Sequence, residues 1–195
     1  MRQLSLFLLV TLFCSATALS AQSAQFTLSE KEMFRISGDS NVRAWQAEIT
    51  KAEGTLIFNS TASGALHEIE SLSLSIPAES ILSDSNVLNG TMHNSLRSEE
   101  YPQILFSLTE VHSAEPDGDA FLIEAAGFVH AAGARYPVTM SVRAYLSESE
   151  IRFRGSQILL MSYFNIDPPT AMMGMFRADD EVEILFDLLF TATQP

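Results

Sequence analysis

Four histidines, His67, His93, His112 and His130, are the side chains here best suited to bind a metal or move a proton, yet no two of them form an HxH or HExxH pair. A metal held from one strand or helix needs two donors on the same face, two or a few residues apart. Their spacing assigns these histidines to surfaces and strand ends. The adjacent carboxylates Glu99-Glu100 and Asp179-Asp180-Glu181 read as solvated turns, because general acid catalysis needs a carboxyl in a dry cleft with a raised pKa. The sequence has no nucleophile elbow, no phosphate-cradling glycine loop and no dinucleotide fingerprint. These residues therefore predict no catalytic site, no metal and no resident cofactor.

The one cysteine, Cys14, lies in an N-terminal stretch, MRQLSLFLLVTLFCSATALSAQSAQ, that has one arginine, an apolar run from Leu4 to Phe13 and then small residues. That order is a secretory signal peptide. The apolar run is far below the roughly 20 residues that span a bilayer. Ala16-Thr17-Ala18 offers a small-x-small cleavage pattern and later sites reach Ala24, so residues 1–24 read as the leader, cut between 18 and 24, and 25–195 as one mature domain. Export to a periplasm or the exterior is expected, with no stable membrane insertion. Phe13 before Cys14 does not suit a lipid-attachment site, and the mature chain would lack thiol chemistry altogether.

Loss of Arg2 with the leader leaves 10 Lys and Arg against 24 Asp and Glu, a net charge of −14. Such a chain is repelled by nucleic acid and by anionic membrane surfaces. Its acidity fits a soluble exported protein and names no ligand.

Alternation with a period of two dominates the mature chain and predicts half-buried antiparallel strands. Leu72, Leu74 and Ile76 alternate with Ser71, Ser73 and Ser75. Val138, Met140, Val142, Ala144 and Leu146 repeat the pattern, as do Val182, Ile184, Phe186, Leu188 and Phe190. Shorter candidates are Met33–Ser37, Trp45–Ile49, Gly54–Phe58, Ile104–Val111, Phe121–Val129 and Ile151–Gly155, with a turn expected at Pro116-Asp117-Gly118-Asp119. Between Asp84 and Arg97 the spacing of Leu88, Met92 and Leu96 is helical, and this helix must end before Tyr101-Pro102. Eight or nine short strands and one helix make an all-β sandwich or closed barrel.

Four stretches together resemble the YceI-like family of exported polyisoprenoid-binding proteins. FRISGDSNVRAWQAEITKAEGTLIF (34–58) is similar to that family's opening strands, although Arg43-Ala44 stands where one branch usually carries His-Asp. LSLSIPAESILSDSNVLNGTMHNSLRSEEYPQILFSLTEV (72–111) resembles its strand, helix and returning strand. GFVHAAGARYPVTMSV (127–142) resembles its glycine-proline hairpin, and FNIDPPTAMMGMFRADDEVEILFDL (164–188) its closing loop and last strand. The resemblance implies a lipocalin-like closed antiparallel β-barrel of about eight strands. It further implies an apolar channel for an isoprenoid or quinone-like lipid, for transport, storage or sequestration.

An eight-stranded barrel is just wide enough to be filled by side chains or to hold one small ligand, so an interaction or stress-response module with a filled barrel is the alternative. The closing stretch MSYFNIDPPTAMMGMFR (161–177) holds four of the eight methionines. Unbranched methionine suits surfaces that accept flexible apolar partners, and Met161, Phe164, Met172, Met173, Met175 and Phe176 either line the channel or plug it. Leu88, Met92 and Leu96 of the helix either close one side of the channel or simply pack. Trp45 is a channel or core residue whose indole N–H needs a partner. Leu74, Ile76 and Phe106 face inward if the alternation is in phase. Oligomeric state is open, a homodimer included.

Overall fold

The computed structural model describes residues 22–60, 66–147, 149–171 and 175–193. In chain order the elements are β1 (Gln22–Ser40), β2 (Trp45–Ile49), β3 (Glu53–Ser60), β4 (Leu66–Pro77), a 3₁₀ turn (Ala78–Ser80), β5 (Ile81–Leu82) and α1 (Asn86–Ser95). They continue with β6 (Gln103–Asp117), β7 (Ala120–Ala131), β8 (Ala134–Leu146), β9 (Glu150–Leu160), a second 3₁₀ turn (Met161–Phe164), β10 (Thr170–Ala171) and β11 (Phe176–Ala192).

Eight of the strands close on themselves in the order β1-β3-β4-β6-β7-β8-β9-β11, every pair antiparallel, and β11 returns to β1 from Phe26↔Ala192 to Ser40↔Ala178. This is the closed eight-stranded barrel that the sequence predicts. Closure removes the unpaired edges that an open sheet of this size would expose. Strands are longer than the alternation suggests: β1 runs from Gln22 rather than Met33, and β9 continues to Leu160 rather than stopping at Gly155. β6 continues through Pro116 and Asp117, so the turn expected there shrinks to Gly118-Asp119.

One end of the barrel, called the upper end here, gathers the β1–β2 turn, α1, the β7–β8 turn and the loop between β9 and β11. β1 serves two partners on one side: Gln22 to Thr27 pair with β3, whereas Arg35 to Gly38 pair with β2. The bend between β2 and β3 is pinned by buried Ser80, whose hydroxyl donates to the Lys51 carbonyl (3.0 Å) and whose carbonyl accepts from Thr50 N–H (2.8 Å). β5 pairs with β2, and α1 packs on β5, where His93 Nε2 lies 2.9 Å from the Ile81 carbonyl oxygen. Ser85 caps α1 by accepting from Leu88 N–H at 3.3 Å, which satisfies one of the free donors of the first turn.

The β7–β8 hairpin turns on Ala132 and Gly133, both with positive φ (49° and 79°), the geometry of a two-residue hairpin turn whose twist suits the flanking strands. Arg97 donates to the Ala132 carbonyl, tying the end of α1 to this turn. The Tyr101 ring covers Gly133 so closely that a Cβ there would lie 2.5 Å from it. Gly133→Ala should therefore destabilise the protein by roughly 1–3 kcal/mol, from a left-handed backbone and a clash together. Thermal denaturation checks this, and an unchanged midpoint would show that the turn and Tyr101 can shift.

Candidate functional site

The inward faces of the strands do not meet. They enclose a cavity of about 580 Å³ that runs from the upper end down to Phe153 and Phe190. That volume falls in the range of small-molecule sites, roughly 300–1,000 Å³. The edge-to-face contact of Phe153 and Phe190, with ring centroids 5.8 Å apart, forms the deep end. Between floor and mouth the wall is almost wholly aliphatic and aromatic: β4 contributes Leu72, Leu74 and Ile76, β8 Met140 and Val142, β11 Ile184, Phe186 and Leu188. Alternation puts these side chains inside because successive residues of a strand point to opposite faces.

Local devices keep the space open. The Phe106 ring lies against Gly127, where a Cβ would come within 2.7 Å of it, so the missing side chain leaves the ring room beside the wall. Ala125, beside Ile123 on β7 and paired with Met140, is another small residue in the wall. Two register shifts in β6, between Leu108 and Glu110 and between Val111 and Ser113, curve that strand around the barrel.

At the upper end α1 turns Leu88, Met92 and Leu96 to the cavity, and Trp45 joins them from β2. The Trp45 indole donates to the Asp39 carbonyl at 3.3 Å. The closing loop supplies Met161, Phe164, Ile166, Pro169, Thr170 and Phe176 to the wall. Its first part is held firmly. Asp180 accepts from Ser162 N–H (2.8 Å) and from its hydroxyl (2.5 Å), and Asn165, at φ 56°, turns the chain after the 3₁₀ helix. Tyr163 stacks on Tyr136 at 3.8 Å, and Tyr136 meets Phe164 edge-on, which fixes the Phe164 ring against the cavity. A hydrogen bond to Tyr163, followed by burial, raises the pKa of the Tyr136 phenol above its ordinary value.

The structure thus brings Trp45, Leu74, Ile76, Leu88, Met92, Leu96, Phe106, Met161, Phe164 and Phe176 to one cavity wall. Met172 and Met173 lie outside the described residues. Met175 is a correction: it is 71% exposed and absent from the wall, because it sits in the turn into β11, where its carbonyl accepts from Asn41. Many further wall residues were not singled out by the sequence reading, the polar Gln157 and the charged Arg43 among them. Gln157 is the polar member of an otherwise apolar inward row on β9, and the phase Ile151, Phe153, Gly155 points to it. Arg43, in the β1–β2 turn, reaches the mouth with no periodic pattern to announce it.

Among the described residues the histidines and carboxylates do not gather into a cluster. His93 packs on β5, His112 lies 3.8 Å from Glu110 on an exposed stretch, and the side chain of His67 is outside the described ones. Glu100 accepts a hydrogen bond from Tyr101 and so raises that phenol's pKa. Among the described residues, no three His, Cys, Asp or Glu side chains are placed to hold a metal, and no helix is long and apolar enough to cross a membrane.

The YceI-like domain model matches residues 19–190, nearly the whole chain. The chain belongs to the YceI-like family. Solved structures similar to this YceI-like protein include BcnA of Burkholderia cenocepacia, with 21% identity, 80% of this chain and 95% of that one covered, and a TM-score of 0.60. A polyisoprenoid binding domain from Saccharophagus degradans, implicated in plant cell wall breakdown, shares 11% identity over 89% of this chain and all of its own (TM-score 0.59). The YceI protein of Campylobacter jejuni shares 13% over 97% of this chain and all of its own (TM-score 0.58). At these identities the likeness is one of fold. No curated protein matches this YceI-like chain in sequence.

Proposed function

We propose that this YceI-like protein is an exported carrier that holds an isoprenoid-like lipid, such as the tail of a quinone or polyprenol, inside its barrel. The observation that carries this reading is the apolar cavity of about 580 Å³, open at the upper end and floored by Phe153 and Phe190. Each methylene moved from water into such a space contributes roughly 0.8 kcal/mol, so a long tail binds without any catalytic group. The name of the Saccharophagus degradans relative, a polyisoprenoid binding domain, supports the same ligand class. A filled barrel would leave room for no more than a few waters, and a cavity of this size weighs against that alternative. Export follows from the N-terminal leader. Cleavage on the N-terminal side of Gln22 would keep the whole β1–β3 ladder, which starts at Gln22↔Ser60.

Purified protein extracted with organic solvent should release a prenyl lipid detectable by mass spectrometry. Protein that comes out empty, and that also fails to take up added quinones and polyprenols, would sink this reading.

A further inference from the structure

Among the described residues the three most exposed large hydrophobic side chains are Val87 (81%), Met175 (71%) and Val42 (66%). They come from three separate segments, the first turn of α1, the turn into β11 and the β1–β2 turn, yet they gather around one opening. Val87 lines the cavity itself, and Val42 and Met175 each directly precede a wall residue, Arg43 and Phe176. None of the three helps the chain to fold. An exposed β-branched residue lowers helix propensity, and turns favour Gly, Pro, Asn, Asp and Ser over Val or Met. Exposed hydrophobics scattered one by one need no explanation, as with Ile158 (54%) on β9, outside the cavity wall. A group of them around an apolar opening marks a surface that meets something apolar.

The fold holds this rim in place. The Ser40 hydroxyl accepts from Val42 N–H (3.2 Å) and Arg43 N–H (3.0 Å) and donates to the Arg43 carbonyl (2.6 Å). Asn41 donates to the Met175 carbonyl (2.9 Å) and accepts from Arg177 N–H (2.8 Å), which clamps the turns of Val42 and Met175 together. Ser85 caps the helical turn that carries Val87. Arg43 is the one charged side chain among the described residues of the cavity wall, and its guanidinium has no ion pair among them. The acidic residues closest along the chain are Asp39, whose carboxylate accepts from Ser40 N–H, and Asp84 before α1.

We propose that the rim formed by Val42, Val87 and Met175 is a docking surface for a zwitterionic phospholipid bilayer, which the protein touches reversibly with the open end of its barrel. The three apolar side chains dip below the head groups and bring the Arg43 guanidinium to the level of the lipid phosphates. With 24 Asp and Glu against 10 Lys and Arg on the mature chain, an anionic surface is disfavoured. A second copy of the chain fits less well, because three side chains around a hole offer far less than the roughly 800 Å² that each partner of a stable protein interface buries. The purpose of the contact rests on the lipid-carrier reading. Moving a tail through water costs more with every methylene, and an opening pressed onto the bilayer avoids that step.

The test mixes the mature protein with phosphatidylcholine vesicles and reads the bound fraction by co-sedimentation. Each of Val42→Ser, Val87→Ser and Met175→Ser should weaken the partition about three- to tenfold, and the triple variant about a hundredfold. The melting temperature should not change, since all three side chains are exposed. Leu122→Ser, an exposed apolar residue near the lower end of β7, should bind as the parent does. Adding phosphatidylglycerol to the vesicles should weaken binding at low salt, and tighter binding there would overturn the choice of a zwitterionic surface. Protein that stays in the supernatant, or a triple variant that binds as well as the parent, would overturn the docking surface. So would a concentration-dependent dimer that the triple variant loses while the parent ignores vesicles, the signature of a second copy on the rim. Docking and the carrier reading fail separately. Vesicle binding by protein that neither releases nor takes up a prenyl lipid sinks the carrier and leaves the surface, whereas lipid uptake from detergent without vesicle binding does the reverse.

Discussion

Replacing Phe190 with alanine is expected to destabilise the protein by about 3–5 kcal/mol. Phe190 is fully buried, meets Phe153 edge-to-face at 81°, and pairs across the sheet with Leu28 and Ile151. Its ring also fills the space above Gly54, where a Cβ would lie 3.0 Å from it. Removing it deletes the floor of a cavity that already exists, so the void left behind merges with the empty space and no neighbour is positioned to collapse into it. For a domain of this size each kcal/mol lowers the melting temperature by about 2–4 °C, which puts the expected drop at roughly 6–20 °C. Phe190→Leu should recover more than half of the loss, because most of the buried area returns. A Phe190→Ala protein that melts within a degree or two of the parent would mean that the floor is not closed as described.

The second large effect concerns binding. Met140→Trp should abolish lipid uptake, lowering affinity by about a hundredfold or more, while folding is largely kept. Met140 faces the cavity on β8 between Val138 and Val142, and its cross-strand neighbour on β7 is the small Ala125. An indole at this position has open space ahead of it. In a close-packed core such an enlargement costs about 1–3 kcal/mol, but here it fills a void. The expected pattern is therefore a melting temperature close to that of the parent, a native circular dichroism spectrum and no lipid on extraction. Full lipid occupancy in folded Met140→Trp protein would place the ligand elsewhere. Phe190→Ala and Met140→Trp thus separate the two roles of one set of inward residues, the first enlarging the space and the second closing it.

Much of this architecture is legible along the chain. The inward rows Val138 to Leu146 and Val182 to Phe190 follow directly from alternation, since both strands keep an unbroken period of two over the stretches concerned. α1 is recognisable from Leu88, Met92 and Leu96, and its cap from Ser85. β6 is harder. Its inward residues Ile104, Phe106 and Leu108 are followed by Val111, an odd-numbered step that only a bulge permits, and a bulge has no marker in the sequence. The ends of β1 and β9 were also hidden, because the segments Gln22 to Glu32 and Ser156 to Leu160 become strands by pairing with distant partners rather than by their own pattern.

Residue types and their order thus determined which faces are apolar, where the helix lies, the absence of a recognisable catalytic motif and the family to which the chain belongs. Only the tertiary structure decided that the apolar faces surround an empty space. Closure depends on β11 pairing with β1, from Phe26↔Ala192 at one end, and the interior volume depends on how Gly127 and Ala125 leave room beside Phe106 and Met140. The same holds for Arg43. As a residue it is one arginine in an exposed turn; held by Ser40 and Asn41 beside the closing loop, it becomes, among the described residues, the one charged side chain on the cavity wall. Alternation encodes the side of a strand on which a residue lies, whereas volume and charge at an opening arise from contacts between segments more than a hundred residues apart.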